Sequence, residues 1–109
     1  MNHHKERLTK VFEEELSKII AKELEFDGAL PTIASIEFSE NLEHVNIGFS
    51  VFPSEKAGEV LKILNENKFE LRKLLGKKVK TKTMPQLDFK IDHGTENAAK
   101  VEKLLIENQ

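Results

Sequence analysis

Histidine is the side chain best suited to ligate a metal or move a proton near neutral pH. The chain has four of them: His3, His4, His44 and His93. No two have the i, i+4 spacing that puts two ligands on one helix face, and no cysteine can complete a zinc site. His3 and His4 are interpreted as solvated N-terminal side chains, or as a weak adventitious metal site. His93 lies between Asp92 and Gly94, which favours a turn residue over an acid–base catalyst. We therefore predict no metal site and no cofactor.

Nucleophilic and phosphate-binding chemistry also lacks a basis in the sequence. Cysteine is absent, so no thiolate can attack a substrate. The glycines, at positions 28, 48, 58, 76 and 94, are too far apart for a phosphate-binding loop or a dinucleotide fingerprint. Their spacing also excludes the GxxG loop with which KH domains usually grip a nucleic-acid backbone. Because no acid–base pair or nucleophile can be named, we expect that the protein is not an enzyme.

The basic residues are concentrated in one segment. Residues 68–90 contain eight basic and two acidic side chains, a net charge of +6, whereas the rest of the chain has nine basic and seventeen acidic ones, a net −8. The formal net charge of −2 is therefore the sum of two opposite regions. A local cationic patch of this kind attracts phosphate groups.

Three interpretations of this cationic segment stay open. Lysines on the exposed face of a strand can be simply solvated, and they protect a sheet edge from unwanted pairing. They can also bind the phosphates of a nucleic acid, or an acidic protein partner. Trp and Tyr are absent and most of the seven Phe fall at core positions, so contacts with RNA are expected to be mainly to its backbone.

The first part of the chain predicts a helix and two strands. Apolar side chains recur with helical spacing from Leu8 to Ile20, and Asp27-Gly28 is expected to end this helix. Alternating segments predict an antiparallel pair of strands over 32–38 and 45–51. In the first of these strands the even-numbered residues are the more apolar and are expected to face the core.

The second part predicts a broken helix, a strand and a final helix. The apolar stripe of the helix after Pro53 is interrupted between Asn65 and Phe69, which indicates a bend or a joint of two helices. Alternation over 79–91 predicts a third strand, at an edge or bulged at Pro85 because proline has no N–H to donate. The open face of that strand would carry Lys78, Lys80 and Lys82. Thr95 is expected to cap a short C-terminal helix.

Length and composition limit the class of protein. The chain has 109 residues, of which 39% are hydrophobic and 33% charged, as in a single small soluble domain. No apolar run is long enough to span a bilayer, and the N-terminus begins with alternating charges, so we expect no signal peptide and a cytoplasmic protein without a membrane partner.

Several short motifs occur in a fixed order along most of the chain. They are Arg7-Leu8-Thr9-Lys10-Val11, Asp27, Ser39-Glu40-Asn41-Leu42, Leu71-Arg72 with Leu75, and Thr83-Met84-Pro85-Gln86-Leu87-Asp88-Phe89 with Asp92. Together they resemble the ribosome-binding factor A family, whose pattern includes Ser-Pro-Asp-Leu, Leu-Arg-x-x-Leu and Thr-Pro-x-Leu-x-Phe-x-x-Asp.

The sequence departs from that family at three points. The triplet at the helix joint is Asn67-Lys68-Phe69, where the family usually has Ala-x-Gly. Gly28 stands where the family has a proline after its aspartate, and one extra residue precedes Pro85. The first departure affects the geometry of the bend, because two helices joined without glycine can meet at a shallower angle.

The resemblance implies an α+β, type-II KH-like fold in the order α-β-β-α-kink-α-β, with the helices on one face of a three-stranded sheet. This domain is expected to span residues 1–92, with 93–109 forming a short helix or a mobile tail. The resemblance also implies binding to the 16S rRNA of the small (30S) ribosomal subunit, near the 5′ end of the RNA. The implied role is late subunit maturation, rRNA processing and cold adaptation, without catalytic activity.

Combining the cationic segment with the resemblance, we predict a monomeric assembly factor that contacts rRNA phosphates through lysine and arginine. The first candidate residues are Arg72, Lys73, Lys77, Lys78, Lys80 and Lys82. Secondary candidates are Arg7, Lys10, Asn67 and Lys68. The alternative is a protein-interaction module that docks an acidic or apolar partner without binding RNA.

Overall fold

The computed structural model describes residues 3–81 and 83–92, with side chains from residue 6 onward. Helix α1 spans His3–Glu23 and is followed by strands β1 (Leu30–Phe38) and β2 (His44–Phe52). A short 3-10 turn, Ser54–Lys56, leads into α2 (Ala57–Glu66), α3 (Lys68–Lys78) and β3 (Gln86–Ile91). This order of elements confirms the predicted one as far as Asp92. Lys82 and the predicted C-terminal helix from Thr95 lie outside the described residues.

The three strands form one sheet in the order β1-β2-β3. Strands β1 and β2 are antiparallel, as predicted, and β3 runs parallel to β2. One row across the sheet consists of Ile36, Ile47 and Phe89, and the next consists of Glu37, Asn46 and Asp88. Because neighbouring residues of a strand point to opposite faces, the first row belongs to the apolar core and the second to the polar face.

In the first half of β1, the predicted alternation is wrong. Ile33 is opposite Phe49 and Ser35 is opposite Gly48, so Ala34 is an extra residue in a β-bulge. The extra residue reverses the parity of the strand: Ile33 is half-buried before the bulge, and Ile36 is half-buried after it. Ala34, which was expected in the core, is exposed.

The third strand is shorter than predicted, and the predicted lysine face is wrong. Strand β3 begins only at Gln86, directly after Pro85, which has no N–H for a ladder. Val79 instead follows the end of α3, where its N–H donates to the carbonyl of Leu75 at 2.9 Å and its side chain is 4% exposed. Lys78 is therefore the last residue of a helix and Lys80 lies in the α3–β3 connection, so neither is on the open face of the sheet.

Helix α1 also ends earlier than expected, at Glu23 rather than at Asp27-Gly28. Asp27 and Gly28 both have positive φ, 49° and 83°, and they form the turn that leads to β1. The ammonium of Lys56 donates to the carbonyl of Asp27 at 2.7 Å, which ties this turn to the segment after β2.

The core lies between the helices and the apolar face of the sheet, and within the described part of the chain every buried side chain is hydrophobic. Phe12 of α1 is fully buried and meets Phe38 of β1 edge to face, with ring centroids 5.3 Å apart. Phe49 and Phe89 form a similar pair at 6.4 Å between β2 and β3. Of the helices described, none is long and apolar enough to cross a membrane.

Candidate nucleic-acid interface

Four of the exposed lysines of the cationic segment lie on the second half of α3 and just after it. Lys73, Lys77 and Lys78 are on α3, Lys80 follows in the connection to β3, and all four are exposed. We call these four residues the lysine cluster. A helix C-terminus attracts cations through its dipole, so Lys77 and Lys78 in the last turn also stabilise α3 itself.

In the described part of the chain, the lysine cluster is not paired with carboxylates. Between residues 6 and 92, leaving Lys82 aside, none of its ammonium groups comes within 4.0 Å of a carboxylate oxygen. Elsewhere among the described residues, Lys18 of α1 forms an ion pair with Glu15 at 3.8 Å. The charge of the cluster is therefore available to an external anion.

Arg72 is oriented differently from the lysines. Its side chain is half-buried, its Nε donates to the carbonyl of Pro85 at 3.0 Å, and its Nη2 donates to the carbonyl of Met84. The planar guanidinium thus holds the last two residues of the α3–β3 connection against α3. Charge and spacing assigned Arg72 the same role as the lysines, whereas the structure shows two backbone partners that a sequence pattern does not reveal.

The interruption of the helical stripe is a joint at one residue, which confirms the predicted break between α2 and α3. Asn67 is half-buried between the two helices, and its Nδ2 donates to the carbonyl of Ile63 at 2.8 Å. Its own carbonyl accepts the N–H of Leu71 at 2.9 Å. The backbone N–H of Asn67 also donates to the carbonyl of Ile63, at 3.2 Å, so the asparagine side chain adds a second donor at the end of α2. The joint contains no glycine, so glycine is not required for the break.

Removing this amide tests its structural role. Asn67→Ala is expected to lower the free energy of unfolding by about 1 kcal/mol relative to Asn65→Ala, because the part-buried side-chain hydrogen bond to the carbonyl of Ile63 is lost. Asn65 is exposed in the last turn of α2, so the control makes the same substitution two residues away without removing the bond to Ile63. Urea unfolding measures both, and equal stabilities would contradict the role given to the Asn67 side chain.

The joint also exposes an aromatic ring that sequence reasoning did not select. Phe69 is 76% exposed, and the ammonium of its neighbour Lys68 is 5.6 Å from the ring centroid. The sequence could have indicated this exposure, because Phe69 is out of phase with the apolar stripe of the helix. An exposed ring beside a cationic helix can stack on an unpaired base.

Arg7 and Lys10 are exposed on α1, which packs against α3. Leu8, between them in sequence, borders the same recess as Lys80. The N-terminal half of α1 is therefore next to the α3–β3 connection that carries Lys80.

The polar face of the sheet has a different character. His44 Nδ1 and Asp88 Oδ2 are 3.0 Å apart between β2 and β3, and Glu37 lies in the same row as Asp88. Within residues 6–81 and 83–92, no three His, Asp or Glu side chains are grouped as a metal site would require. The side chains of His3, His4 and His93 lie outside the described residues.

A sequence model of one family, described as Ribosome-binding factor A, matches residues 4–105. A protein of that name from Bdellovibrio bacteriovorus is 38% identical over 79 residues, which cover 72% of this chain and 59% of that protein. One from Pseudomonas aeruginosa is 31% identical over 104 residues, covering 92% of this chain and 81% of that protein.

Solved structures of similar fold carry the same description. The crystal structure of ribosome-binding factor A from Thermus thermophilus aligns with a TM-score of 0.68 at 22% identity, covering 80% of this chain and 94% of that one. A model of the Thermus thermophilus factor, fitted into a cryo-EM map of a complex with the 30S subunit, aligns with a TM-score of 0.65 at 21% identity, covering 87% and 98%. These likenesses confirm the predicted α+β, KH-like fold.

Proposed function

The chain belongs to the ribosome-binding factor A family, and from this premise we propose that it binds the small (30S) ribosomal subunit through phosphates of the 16S rRNA. The fitted complex of the Thermus thermophilus relative with a 30S subunit supports the choice of partner. The binding requires no catalytic step from this chain.

The lysine cluster is the observation that carries the proposal. Four exposed ammonium groups without a described carboxylate partner lie on the second half of α3 and the connection after it, in a chain whose residues outside 68–90 carry a net −8. Lysine supplies a compact charge and several donors to phosphate oxygens, which fixes a protein on RNA without reading its sequence. The acidic remainder disfavours non-specific adhesion to RNA elsewhere on the surface.

The finer features of the function follow from family membership. We propose that the bound chain acts late in maturation of the subunit and in rRNA processing, and that it supports growth in the cold. In this proposal the protein is a cytoplasmic monomer whose RNA-binding domain spans residues 1–92, and residues 93–109 form a separate C-terminal segment. Lys82 stays among the proposed phosphate contacts on the basis of its sequence position.

Salt dependence tests the proposal. If the lysine cluster makes four phosphate contacts, the log–log slope of affinity against salt should be about −3, so binding to purified 30S subunits weakens about 60-fold between 50 and 200 mM salt. Co-sedimentation at a series of salt concentrations, with 50S subunits as the control particle, measures both the slope and the choice of subunit.

The rival function gives the opposite result. A module that docks an apolar protein surface should keep its affinity across the same salt range, because burial of apolar area is not screened by ions. A flat salt profile, or equal binding to 30S and 50S particles, would contradict the proposed function.

A further inference from the structure

A recess of about 380 Å³ lies between α1, the β1–β2 turn and the α3–β3 connection. It is lined by Leu8, Phe12, Phe38, Leu42, Lys80, Thr81, Thr83 and Pro85. This volume is within the range of about 300–1,000 Å³ that small-molecule sites in proteins occupy. The recess is separate from the helix joint and adjoins the lysine cluster through Lys80.

The lining is apolar at its base and polar along one side. Half-buried Phe38 and Leu8 form the apolar surface at its base. The fully buried Phe12 meets Phe38 edge to face from below and holds that ring in place. Lys80, Thr81 and Thr83 are exposed on the side formed by the α3–β3 connection. The Thr81 hydroxyl donates to the carbonyl of Thr83 at 3.1 Å, and the Thr83 hydroxyl has no partner within the described part of the chain.

The opposite side of the recess is held by a strained residue. Leu42 has φ 61°, a left-handed conformation that costs a residue with a Cβ about 1–2 kcal/mol. Hydrogen bonds fix it there: Asn41 Oδ1 accepts the Ser39 hydroxyl at 2.8 Å and the Glu43 N–H at 3.1 Å. The Leu42 side chain nevertheless remains 44% exposed. A turn needs only glycine or asparagine at such a position, so the exposed leucine indicates a use for its side chain at the recess.

The lining matches the chemistry of a nucleotide. A nucleobase has two apolar faces and a polar edge, and it is joined to an anionic phosphate. The recess offers an apolar surface for the faces, a hydroxyl for the edge and an ammonium for the phosphate. We infer that the recess binds one unpaired nucleobase of the RNA whose phosphates contact the lysine cluster. This inference rests on the proposed function and adds to it a contact that depends on the base.

Two RNA octamers separate base binding from phosphate binding. One is a single-stranded octamer with all its bases, and the other is an abasic octamer with the same number of phosphates. In an NMR titration of the full chain, the base-containing octamer is expected to shift the methyl signals of Leu8 and Leu42. The abasic octamer is expected to shift the backbone amides of the lysine cluster alone.

A substitution that fills the recess gives the quantitative test. Thr83→Phe is expected to weaken binding of the base-containing octamer about tenfold, the scale of one stacked base, and to leave binding of the abasic octamer unchanged. The log–log salt slope should stay the same, because no phosphate contact is lost. Ser50→Phe is the matched control, since Ser50 is exposed on the polar face of the sheet. Leu42→Gly relieves the positive φ while removing the side chain, and it should also weaken binding of the base-containing octamer.

These experiments distinguish a failure of the proposed function from a failure of this inference alone. If wild-type protein does not bind 30S subunits, the proposed function is wrong. If it binds both octamers equally, or if Leu8 and Leu42 do not respond to bases, the recess has another occupant, such as an apolar side chain of a protein, and only this inference is overturned. A change in salt slope with Thr83→Phe would also overturn it, because the substitution would then act on phosphate contacts.

Discussion

Replacing Lys77, Lys78 and Lys80 together by glutamate is expected to weaken binding to the small ribosomal subunit about 100-fold or more at moderate salt. Each lost phosphate contact should reduce the magnitude of the log–log slope of affinity against salt by about 0.7–0.9. The slope of the triple variant should therefore be smaller in magnitude by about 2–3. The three introduced carboxylates also repel the RNA. Co-sedimentation with 30S subunits across a salt series measures both quantities.

The matched control moves the same charge elsewhere. Lys22, Lys62 and Lys90 are exposed on α1, α2 and β3, and their triple replacement by glutamate changes the net charge by the same amount. If both triple variants bind equally poorly, overall charge and not the lysine cluster governs binding. Because glutamate at the end of α3 also opposes the helix dipole, the triple glutamine variant serves as a second test with less effect on folding.

Arg72→Ala is expected to lower the free energy of unfolding by about 2–4 kcal/mol. The half-buried guanidinium makes charge-assisted hydrogen bonds to the carbonyls of Met84 and Pro85, and its removal leaves both acceptors without that donor. Arg72→Lys should recover only part of the loss, because an ammonium cannot reproduce the planar fork. Urea unfolding monitored by circular dichroism measures these changes.

The neighbouring residue provides the comparison. Lys73 is exposed one position further along α3, and Lys73→Ala should leave stability unchanged while weakening RNA binding. The opposite pattern, with Arg72→Ala as stable as Lys73→Ala, would mean that the bonds to the α3–β3 connection contribute little. The pair therefore separates Arg72, which positions the connection, from Lys73, which we propose contacts rRNA phosphates.

Much of the fold was predictable because local patterns and tertiary packing agree there. The helical stripe of α1, the antiparallel pairing of β1 with β2, and the break at Asn67 each follow from spacing that repeats in the structure. The start of β3 was not predictable from alternation. Residues 79–85 alternate like a strand, but Val79 is buried at the end of α3 and Arg72 binds the carbonyls before Gln86.

The bulge at Ala34 and the role of Arg72 could not be predicted from the sequence for the same reason. Both depend on the residue that stands opposite in space, which sequence spacing does not give: Gly48 pairs with Ser35 on one side of the bulge, and Met84 and Pro85 accept from Arg72. The general position of the lysine cluster was predictable, since charge counts need no partner. Its location on α3 and the following connection, instead of on a sheet face, was not.

The wholly apolar interior of the described residues bears on how far such a sequence can diverge. An interior whose packing depends on volume and apolarity tolerates exchange among aliphatic and aromatic residues, whereas a buried polar network would fix particular side chains. Relatives sharing 27–38% of their residues with this chain can thus retain one architecture. Selection is then free to act on the surface. Among the described side chains, Arg72 should resist change, because its guanidinium donates to two backbone carbonyls.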